Sequence, residues 1–436
     1  MKQSEFKKRR KQLMQRIGKG NLALIGSAST HTRNRDVNYP FRQDSDFYYL
    51  TGFNEPDSLA VFIPGREQGE YILFCREFDE KKALWEGAHA GLEGATQHYA
   101  ADDSFPIEDL NDILPGMLEN KTKVFYPMGR DSELDHKLLD WINHIRKQSR
   151  TGITAPGELV SLEHILHEMR LFKSAEELKL MRHAAEVSAA AHIKAMQHCK
   201  AGLYEYQVEA EIISHFLHEG LRAVAYPSIV ASGKNACTLH YTENSAKLKS
   251  GELLLVDAGA ECDHYAADIT RTYPVSGKFT EPQKLLYQLV LDAQLAAIEQ
   301  IKPKSTLQAA HDASVTVLTK GLVSLGLLKG RVPTLIKNEK YKQFYMHRIG
   351  HWLGMDVHDV GDYKINQEWR LLEKGMVLTI EPGLYIPCDC KTVDEQWRGI
   401  GIRIEDDVLV TADGHEILTS GVPKSIADLE QLMAAH

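Results

Sequence analysis

The stretch GELLLVDAGAECDHYAADITRTY, residues 251–273, decides which architecture this chain can adopt. Its apolar run ends at Asp257, and Asp268 follows eleven residues later. A hairpin with Cys262 and Asp263 in its turn pairs position 261 with 264, 259 with 266 and 257 with 268. In that register the two aspartates oppose each other with Cβ atoms ~5 Å apart. Carboxylates so close repel each other unless a cation lies between them, so the stretch predicts a cation site.

Two further carboxylates follow the same logic. Glu381 ends the apolar strand MVLTI, and Pro382-Gly383 stops that strand directly afterwards. In GIGIRIEDD the isoleucines alternate on one side, while Arg403 and Glu405 share the other. One such acid alone would more often cap a turn or pair with a cation. Their recurrence favours a shared site, because a carboxylate at a buried strand end is costly unless it is paired or bound to metal.

Histidines concentrate in MHRIGHWLGMDVHDVG, residues 346–361, which contains His347, His351 and His358. A single histidine would more often be a packed, hydrogen-bonded residue than a ligand. Three within twelve residues, beside glycines that allow close backbone approach, favour a site. His240, in TLHYTEN, is a further candidate. One imidazole can bind a metal, and the others can contact a carbonyl or carry protons.

One imidazole and four carboxylates suit a pair of divalent cations, and the oxygen-rich set favours manganese. Two ions held ~4 Å apart would deprotonate a bridging water and polarise a carbonyl, which is hydrolytic chemistry. The proposed ligands are Asp257, Asp268, His351, Glu381 and Glu405.

Composition excludes several other classes. A chain of 436 residues suggests two domains, and its net charge of −9 argues against nucleic acid as the main partner. No apolar run approaches the ~20 residues of a membrane span, so we expect neither a membrane role nor a secretory signal. The basic start fits an amphipathic helix that buries Phe6, Leu13, Met14 and Ile17. The six cysteines fit thiols in a reducing cytoplasm, and the Cys388/Cys390 spacing does not suit zinc.

The chain shows α/β character throughout. Residues 21–27, 59–65 and 70–76 predict strands, and 162–174 predicts a helix that joins two halves. Ser174 and Glu177 form a capping box that begins a long helix, and Thr280 with Gln283 repeats the pattern before a helix through Ile301. Further helices are expected over 205–220 and 306–327. Strands are expected in GELLLVDAG, YAADITRTY, GMVLTIEPG and GIGIRIEDDVLV, and the domain boundary near residue 173.

The motif-bearing segments together resemble aminopeptidase P, the Xaa-Pro aminopeptidases of the pita-bread metallopeptidases. The matching segments are LHYTEN (239–244), 256–279, FYMHRIGHWLGMDVHDVG (344–361), LTIEPGLYI (378–386), GIGIRIEDDVLVT (399–411) and DVNYPFRQDSDFYYLTGFNEP (36–56). The resemblance implies an α/β (α+β) chain. An N-terminal aminopeptidase-P-type α/β domain would span 1–173, and a pita-bread dimetal catalytic domain would span 174–436.

The same resemblance implies how the ligands are shared. Asp268 and Glu405 would bridge the two ions, Asp257 would complete one, and His351 with Glu381 the other. Glu381 would also be the general base toward a metal-bridging hydroxide.

Other site residues follow by resemblance. Catalytic roles, next to Glu381, would fall to His240, His347, His358, Arg403 and Tyr385. His358 would contact the substrate carbonyl, and Arg403 and Tyr385 would orient the ligands. Substrate contacts would come from His240, His358, Asp36 and Trp85.

The implied activity is release of the first residue from peptides with proline second, with two divalent cations, most suitably Mn²⁺. The proteins that the chain resembles are often dimers or tetramers, so the resemblance implies a homo-oligomer. Three alternatives share the fold: a prolidase restricted to dipeptides, a metal-free creatinase, and a catalytically silent binding module. The chain departs from the pattern at Gly350, where serine is common, at Arg348, where a small residue is common, and in the loop 362–370 around Glu368.

Overall fold

A computed structural model describes residues 1–434. Its packing divides the chain into two compact units, Met1–Arg170 and a second that begins at Leu171, three residues before the expected boundary. Within the described range, no helix combines the length and apolar character that crossing a bilayer requires. The six cysteines are free thiols, as expected.

The first unit is built on a six-stranded mixed sheet with strand order β6-β5-β4-β1-β7-β8. The three strands expected from the sequence are β1, β4 and β5, which pair antiparallel with each other at the centre of the sheet. A separate two-stranded ribbon consists of β2 and β3. The strands are β1 Leu22–Gly26, β2 Thr32–Asn34, β3 Val37–Asn38, β4 Leu59–Phe62, β5 Tyr71–Cys75, β6 Asp103–Pro106, β7 Lys123–Tyr126 and β8 Glu158–Ser161.

The basic first helix buries arginine side chains as well as its apolar residues. It buries Phe6, Leu13 and Ile17 as predicted, whereas Met14 is only half-buried. It also buries Arg9, whose Nη1 donates to the Tyr49 carbonyl at 3.1 Å and whose guanidinium lies over the Tyr49 ring. The helices of this part of the chain are α1 Gln3–Ile17, α2 Ser45–Thr51, α3 Glu80–Glu86, α4 Gly91–Gln97, α5 Leu110–Leu118, α6 Ser132–Lys147 and α7 Glu163–Leu171.

Both predicted capping boxes begin helices of the second unit. The Ser174 amide donates to the Glu177 carboxylate at 2.8 Å, and the Thr280 amide donates to the Gln283 side chain at 2.9 Å. The predicted C-terminal ends run two or three residues too far, for example at Gly220, where a positive φ of 82° ends the helical conformation. The helices are α8 Ala175–His198, α9 Glu205–His218, α10 Glu281–Ile298, α11 Leu307–Ser324, α12 Val332–Lys337 and α13 Ile426–Ala434.

The strands of the second unit form small sheets with the orders β10-β11-β14, β13-β12-β9, β17-β20-β21, β18-β19 and β15-β16. Two segments expected as single strands are each broken in the middle, at 267–269 and at 404–405. The strands are β9 Ala223–Val224, β10 Ile229–Ser232, β11 Leu253–Asp257, β12 Ala260–Cys262, β13 Tyr265–Ala266, β14 Thr270–Pro274, β15 Lys364–Ile365, β16 Glu368–Trp369, β17 Val377–Ile380, β18 Gly383–Ile386, β19 Ile400–Arg403, β20 Asp406–Val410 and β21 His415–Ile417.

The predicted hairpin register is wrong by one residue on each strand. The turn consists of Asp263 and His264, with φ values of 48° and 70°, so Cys262 pairs with Tyr265. The partner of Asp257 is therefore Thr270 and not Asp268. The physical reason is that a two-residue hairpin turn of this kind needs left-handed backbone at both positions, which Asp and His tolerate better than Cys does.

Candidate metal centre

The four expected acidic ligands all occupy breaks or ends of strands. Asp257 is the last residue of β11, Asp268 lies in the gap between β13 and β14, and Glu405 lies between β19 and β20. Glu381 stands between β17 and β18. Because side chains at these points are released from the alternation of the pleat, acids from four places in the sequence can point to one side.

These acids converge on one cavity of about 870 Å³ in the second unit. The cavity wall includes all five proposed ligands, Asp257, Asp268, His351, Glu381 and Glu405. Of the other proposed residues, it includes His240, His347, His358 and Arg403. Tyr385 is buried and reaches the site through hydrogen bonds to His347 and Arg403.

The centre of the cluster is the group Asp268, His351 and Glu405. One potential ligand atom from each residue lies within 4.8 Å of the others. The Nε2 atom of His351 is 3.5 Å from Asp268 Oδ2 and 3.6 Å from Glu381 Oε1. Since Nδ1 of His351 donates to the Trp352 carbonyl at 3.0 Å, Nε2 is the nitrogen available to a metal.

Tyr226 joins two of the aspartates and is a site residue that the sequence did not indicate. Its hydroxyl oxygen lies 2.7 Å from Asp257 Oδ1 and 2.6 Å from Asp268 Oδ1. A phenol has one proton, so it can donate to only one carboxylate at a time. The second close oxygen contact leaves unbalanced negative charge, which a bound cation would relieve.

Arg403 organises the opposite side of the cluster. Its Nη2 donates to Asp257 Oδ2 at 2.6 Å, and its Nε donates to the Thr270 hydroxyl at 3.1 Å. The Thr270 hydroxyl in turn donates to Glu405 Oε2 at 2.7 Å. Thr270 was not predicted, although it is the register partner of Asp257. Arg403 thus orients one proposed ligand directly and another through a threonine.

Electrostatics identify these carboxylates as a crowded group. Burial raises the pKa of Glu381 to about 7 despite the neighbouring charges of His351 and Arg403. Burial, then the charges of Asp268 and Glu381, raise the pKa of Glu405 well above its usual range. Burial also raises the pKa of Asp257, with Arg403 opposing that effect.

His351 shows the complementary effect. Burial lowers its pKa, but the hydrogen bond to Asp268 and the charges of Glu381 and Asp268 raise it to about 9. The donor set therefore fits divalent cations: it is rich in carboxylate oxygen, contains one imidazole, and holds more negative charge than its cationic neighbours balance.

The remaining histidines line the cavity in different states. The ring of His358 packs edge-on against that of His351, with centroids 4.3 Å apart. Burial, followed by the charge of Arg403, lowers the pKa of His347 to about 4. Its Nδ1 donates to the Arg348 carbonyl at 2.8 Å, so Nε2 accepts from the Tyr385 hydroxyl at 2.9 Å. His240 is exposed on the cavity wall.

Asp36 and Trp85 belong to the first unit. Both are exposed there, and 86% of the Trp85 surface is accessible. The lining of the cavity described above comes from the second unit alone.

Comparison with known families decides the affiliation. Residues 179–412 match the model of metallopeptidase family M24, and residues 6–126 match that of the aminopeptidase P N-terminal domain. The chain belongs to metallopeptidase family M24. Both the expected two-part architecture and the resemblance to aminopeptidase P are confirmed by these two matches.

Relatives of this M24 chain match it over nearly its full length. A Xaa-Pro aminopeptidase of Haemophilus influenzae is 44% identical over 98% of this chain and 97% of its own. The structure of Pseudomonas aeruginosa aminopeptidase PepP is similar with a TM-score of 0.99 at 55% identity, covering 100% of this chain and 98% of that one. Zinc-substituted Escherichia coli aminopeptidase P in complex with product gives a TM-score of 0.97 at 42% identity, covering 100% and 99%.

Proposed function

We propose that this chain, a metalloaminopeptidase of the aminopeptidase P group, releases the N-terminal residue from peptides with proline in second position. The observation that carries the proposal is the convergence of four buried or half-buried carboxylates and His351 on one cavity. Full-length similarity to proteins named Xaa-Pro aminopeptidase supports it for both units.

Two divalent cations would complete the site, and we propose manganese as the ion. Asp268 and Glu405 would be shared, Asp257 would complete one position, and His351 with Glu381 the other. The oxygen-rich donor set supports this assignment. When bound, such a pair supplies an acidified water and an electrophile for a carbonyl oxygen.

The protein side chains would manage protons and orientation. Glu381, a carboxylate on the cavity wall, can take a proton from water and return it to the leaving nitrogen. His358, whose ring packs against that of His351 in the cavity, would donate a hydrogen bond to the developing oxyanion. His240 and His347 would line the path of the substrate, and Arg403 with Tyr385 would hold Asp257 in place.

Selectivity for proline would come from shape and from a missing donor. The proline nitrogen carries no hydrogen, so a site that does not require a backbone N–H at that position accepts it. Apolar side chains on the cavity wall, among them Ile229, Leu239 and Leu307, offer surface for the ring.

We further propose a cytoplasmic homo-oligomer, a dimer or tetramer. The six free cysteines support a reducing compartment. Asp36 and Trp85 stay predicted as substrate contacts, and in such an oligomer they would serve the cavity of a neighbouring copy. Light scattering at several protein concentrations tests the oligomeric state.

The test of the function is a peptide panel on metal-depleted and manganese-restored protein. Hydrolysis of Xaa-Pro tripeptides, dependent on the metal and absent when alanine replaces proline, is the expected result. Cleavage of dipeptides alone would identify a prolidase. Stoichiometric peptide binding without turnover would identify a binding module.

A further inference from the structure

The cavity contains one arginine whose charge is not matched by an acid. Two arginines are among its described lining residues, Arg403 and Arg348. Arg403 is engaged by Asp257 at 2.6 Å. Arg348 is exposed, and within residues 1–434 its side-chain partners are the neutral amide of Gln308 and the ring of Trp369. Its positive charge is therefore available to a ligand in the cavity.

The Arg348 side chain is held in one orientation from two sides. Its Nη2 donates to Gln308 Oε1 at 2.7 Å, and Gln308 Nε2 donates to Asp312 Oδ1 at 2.7 Å. Asp312 thereby fixes which end of the amide faces the guanidinium. On the other side, the guanidinium carbon lies 4.8 Å from the centroid of the Trp369 ring. Such preorganisation reduces the entropy lost when a ligand binds.

The Trp369 ring belongs to a hairpin that is docked next to His351. The hairpin consists of β15 and β16, and the Tyr363 ring just before it stacks on Trp352 with centroids 5.3 Å apart. The Tyr363 hydroxyl accepts from the Trp352 amide at 3.0 Å. The segment 362–370 thus forms a fixed wall of the cavity. The Arg348 side chain packs against this wall through the Trp369 ring.

The metal centre and Arg348 line the same cavity but would bind different parts of a peptide. Two divalent cations would neutralise the four carboxylates, so the metal centre would hold the amino end and the carbonyl to be cleaved, while Arg348 attracts a carboxylate and repels an amino group. A peptide bound with its amino end at the metal centre can then present a carboxylate further along its chain to Arg348. In a tripeptide the terminal carboxylate lies about 7 Å beyond the carbonyl that is cleaved, a distance of two extended residues.

We infer that Arg348 is a specificity-determining residue that recognises a carboxylate on the part of the substrate that follows proline. The inference rests on the proposed function and specifies its substrate class. The carboxylate could be the C-terminus of a tripeptide or an acidic side chain of a longer peptide, and two pairs of substrates distinguish these sources.

The kinetic test compares Ala-Pro-Ala with its C-terminal amide, and Ala-Pro-Glu-amide with Ala-Pro-Gln-amide. For the wild type we expect, in at least one of the two pairs, that the substrate with the free carboxylate has a kcat/KM roughly fivefold higher than its neutral partner. The difference should come from a lower KM, and its size is the effect of one partly exposed ion pair. In Arg348→Gln the acid-to-neutral ratio should fall to about one, and Arg348→Lys should retain part of it. High salt should reduce the wild-type ratio.

Lys364→Gln provides a matched control. Lys364 lies 4.8 Å from the same Trp369 ring but is not among the residues that line the cavity, so its loss removes an equal charge and an equal ring contact. We expect the acid-to-neutral ratio of this variant to match the wild type. Thermal denaturation of both variants checks that the hairpin remains folded.

Equilibrium binding separates this inference from the proposed function. The manganese-loaded protein is titrated with Pro-Ala and Pro-Ala-amide by calorimetry, which needs no turnover. Tighter binding of the acid to the wild type, lost in Arg348→Gln, supports the inference even if no peptide is hydrolysed. Equal acid-to-neutral ratios in wild type and Arg348→Gln, in kinetics and in binding, overturn it.

Discussion

Glu405 and Asp406 are neighbours in sequence, and both are buried, yet their surroundings are opposite. Asp406 Oδ1 accepts from Arg271 at 2.7 Å and Oδ2 from Lys424 at 2.7 Å, and these cations lower its pKa although burial raises it. Glu405 has only the Thr270 hydroxyl as a hydrogen-bond donor to its carboxylate in the described chain, and burial with nearby acids raises its pKa well above normal. Asp406 is a compensated acid, meaning that cationic side chains neutralise it, and it serves the stability of the fold. Glu405 is an uncompensated acid, meaning that it lacks such partners, and this indicates a site for a bound cation.

The surroundings of Asp406 and of Glu405 are connected by the hydrogen bonds of one side chain, that of Arg271. Arg271 is fully buried and donates to the carbonyls of Thr270 at 3.0 Å and Glu405 at 2.6 Å. It also donates to the carbonyls of Val422 and Pro423, just before α13. The ion pair of Arg271 with Asp406 therefore fixes the backbone from which the Glu405 side chain extends into the metal centre.

The largest effect is expected from Glu381→Ala. Loss of the proton-transferring group should lower kcat on an Xaa-Pro tripeptide by about 10³-fold. Glu381→Gln, which preserves side-chain volume, should be similarly impaired, and metal content is measured for both to separate proton transfer from metal loss. Near-normal turnover by either variant would exclude Glu381 as the base.

A large effect on stability is expected on the compensated side, from Arg271→Met. Removing Arg271 takes the fully buried one of the two cationic partners from Asp406 and leaves four backbone carbonyls without their donor, which should cost about 3–5 kcal/mol in the free energy of unfolding. Lys424→Met is the matched control, because the Lys424 side chain is 21% exposed and water can replace it; about 1 kcal/mol is expected. Urea denaturation without metal measures both, and equal losses would contradict the distinction between the two partners.

Added metal should stabilise the folded protein only through the uncompensated acids of the metal centre, such as Glu405. Manganese at 100 times its dissociation constant should raise the free energy of unfolding by about 2.7 kcal/mol per site. Glu405→Gln should lose most of this increment, and Lys424→Met should keep it. If manganese shifts the melting temperature of Glu405→Gln as much as that of the wild type, Glu405 is not a ligand and the contrast with Asp406 is wrong.

A smaller, pH-dependent effect is expected at a second compensated acid, Asp46 in the first unit. Burial raises its pKa, but Arg170 at 2.8 Å and His167 at 3.5 Å lower it far below the usual value. A lowered folded-state pKa contributes stability that is present above about pH 4 and is lost as the pH falls toward the folded value.

Asp46→Asn tests that contribution. The variant should be less stable at neutral pH by on the order of 2 kcal/mol and should lose less stability than the wild type on acidification. Urea midpoints between pH 7 and pH 3 supply the measurement. Parallel curves for the two proteins would show that Asp46 is not the group responsible.

Sequence patterns succeeded where the interaction is local. The capping boxes at Ser174 and Thr280 and the strands at the centre of the first sheet could be predicted because each depends on residues a few positions apart. The hairpin register was wrong because the turn was placed at Cys262 and Asp263, although Asp263 and His264 accept the left-handed angles of such a turn more readily than Cys262 does. Tyr226, Thr270 and Arg271 were missed because their roles come only from partners distant in sequence.

By itself, the sequence determined the kinds of chemistry available to this protein: a set of acids and one imidazole beside apolar runs, and the family to which those motifs belong. Only the tertiary structure decided which acids share a cation site and which are neutralised by arginine or lysine. The physical reason is that the energy of a buried charge depends on the groups within a few ångströms of it, and adjacent residues such as Glu405 and Asp406 can face entirely different neighbours.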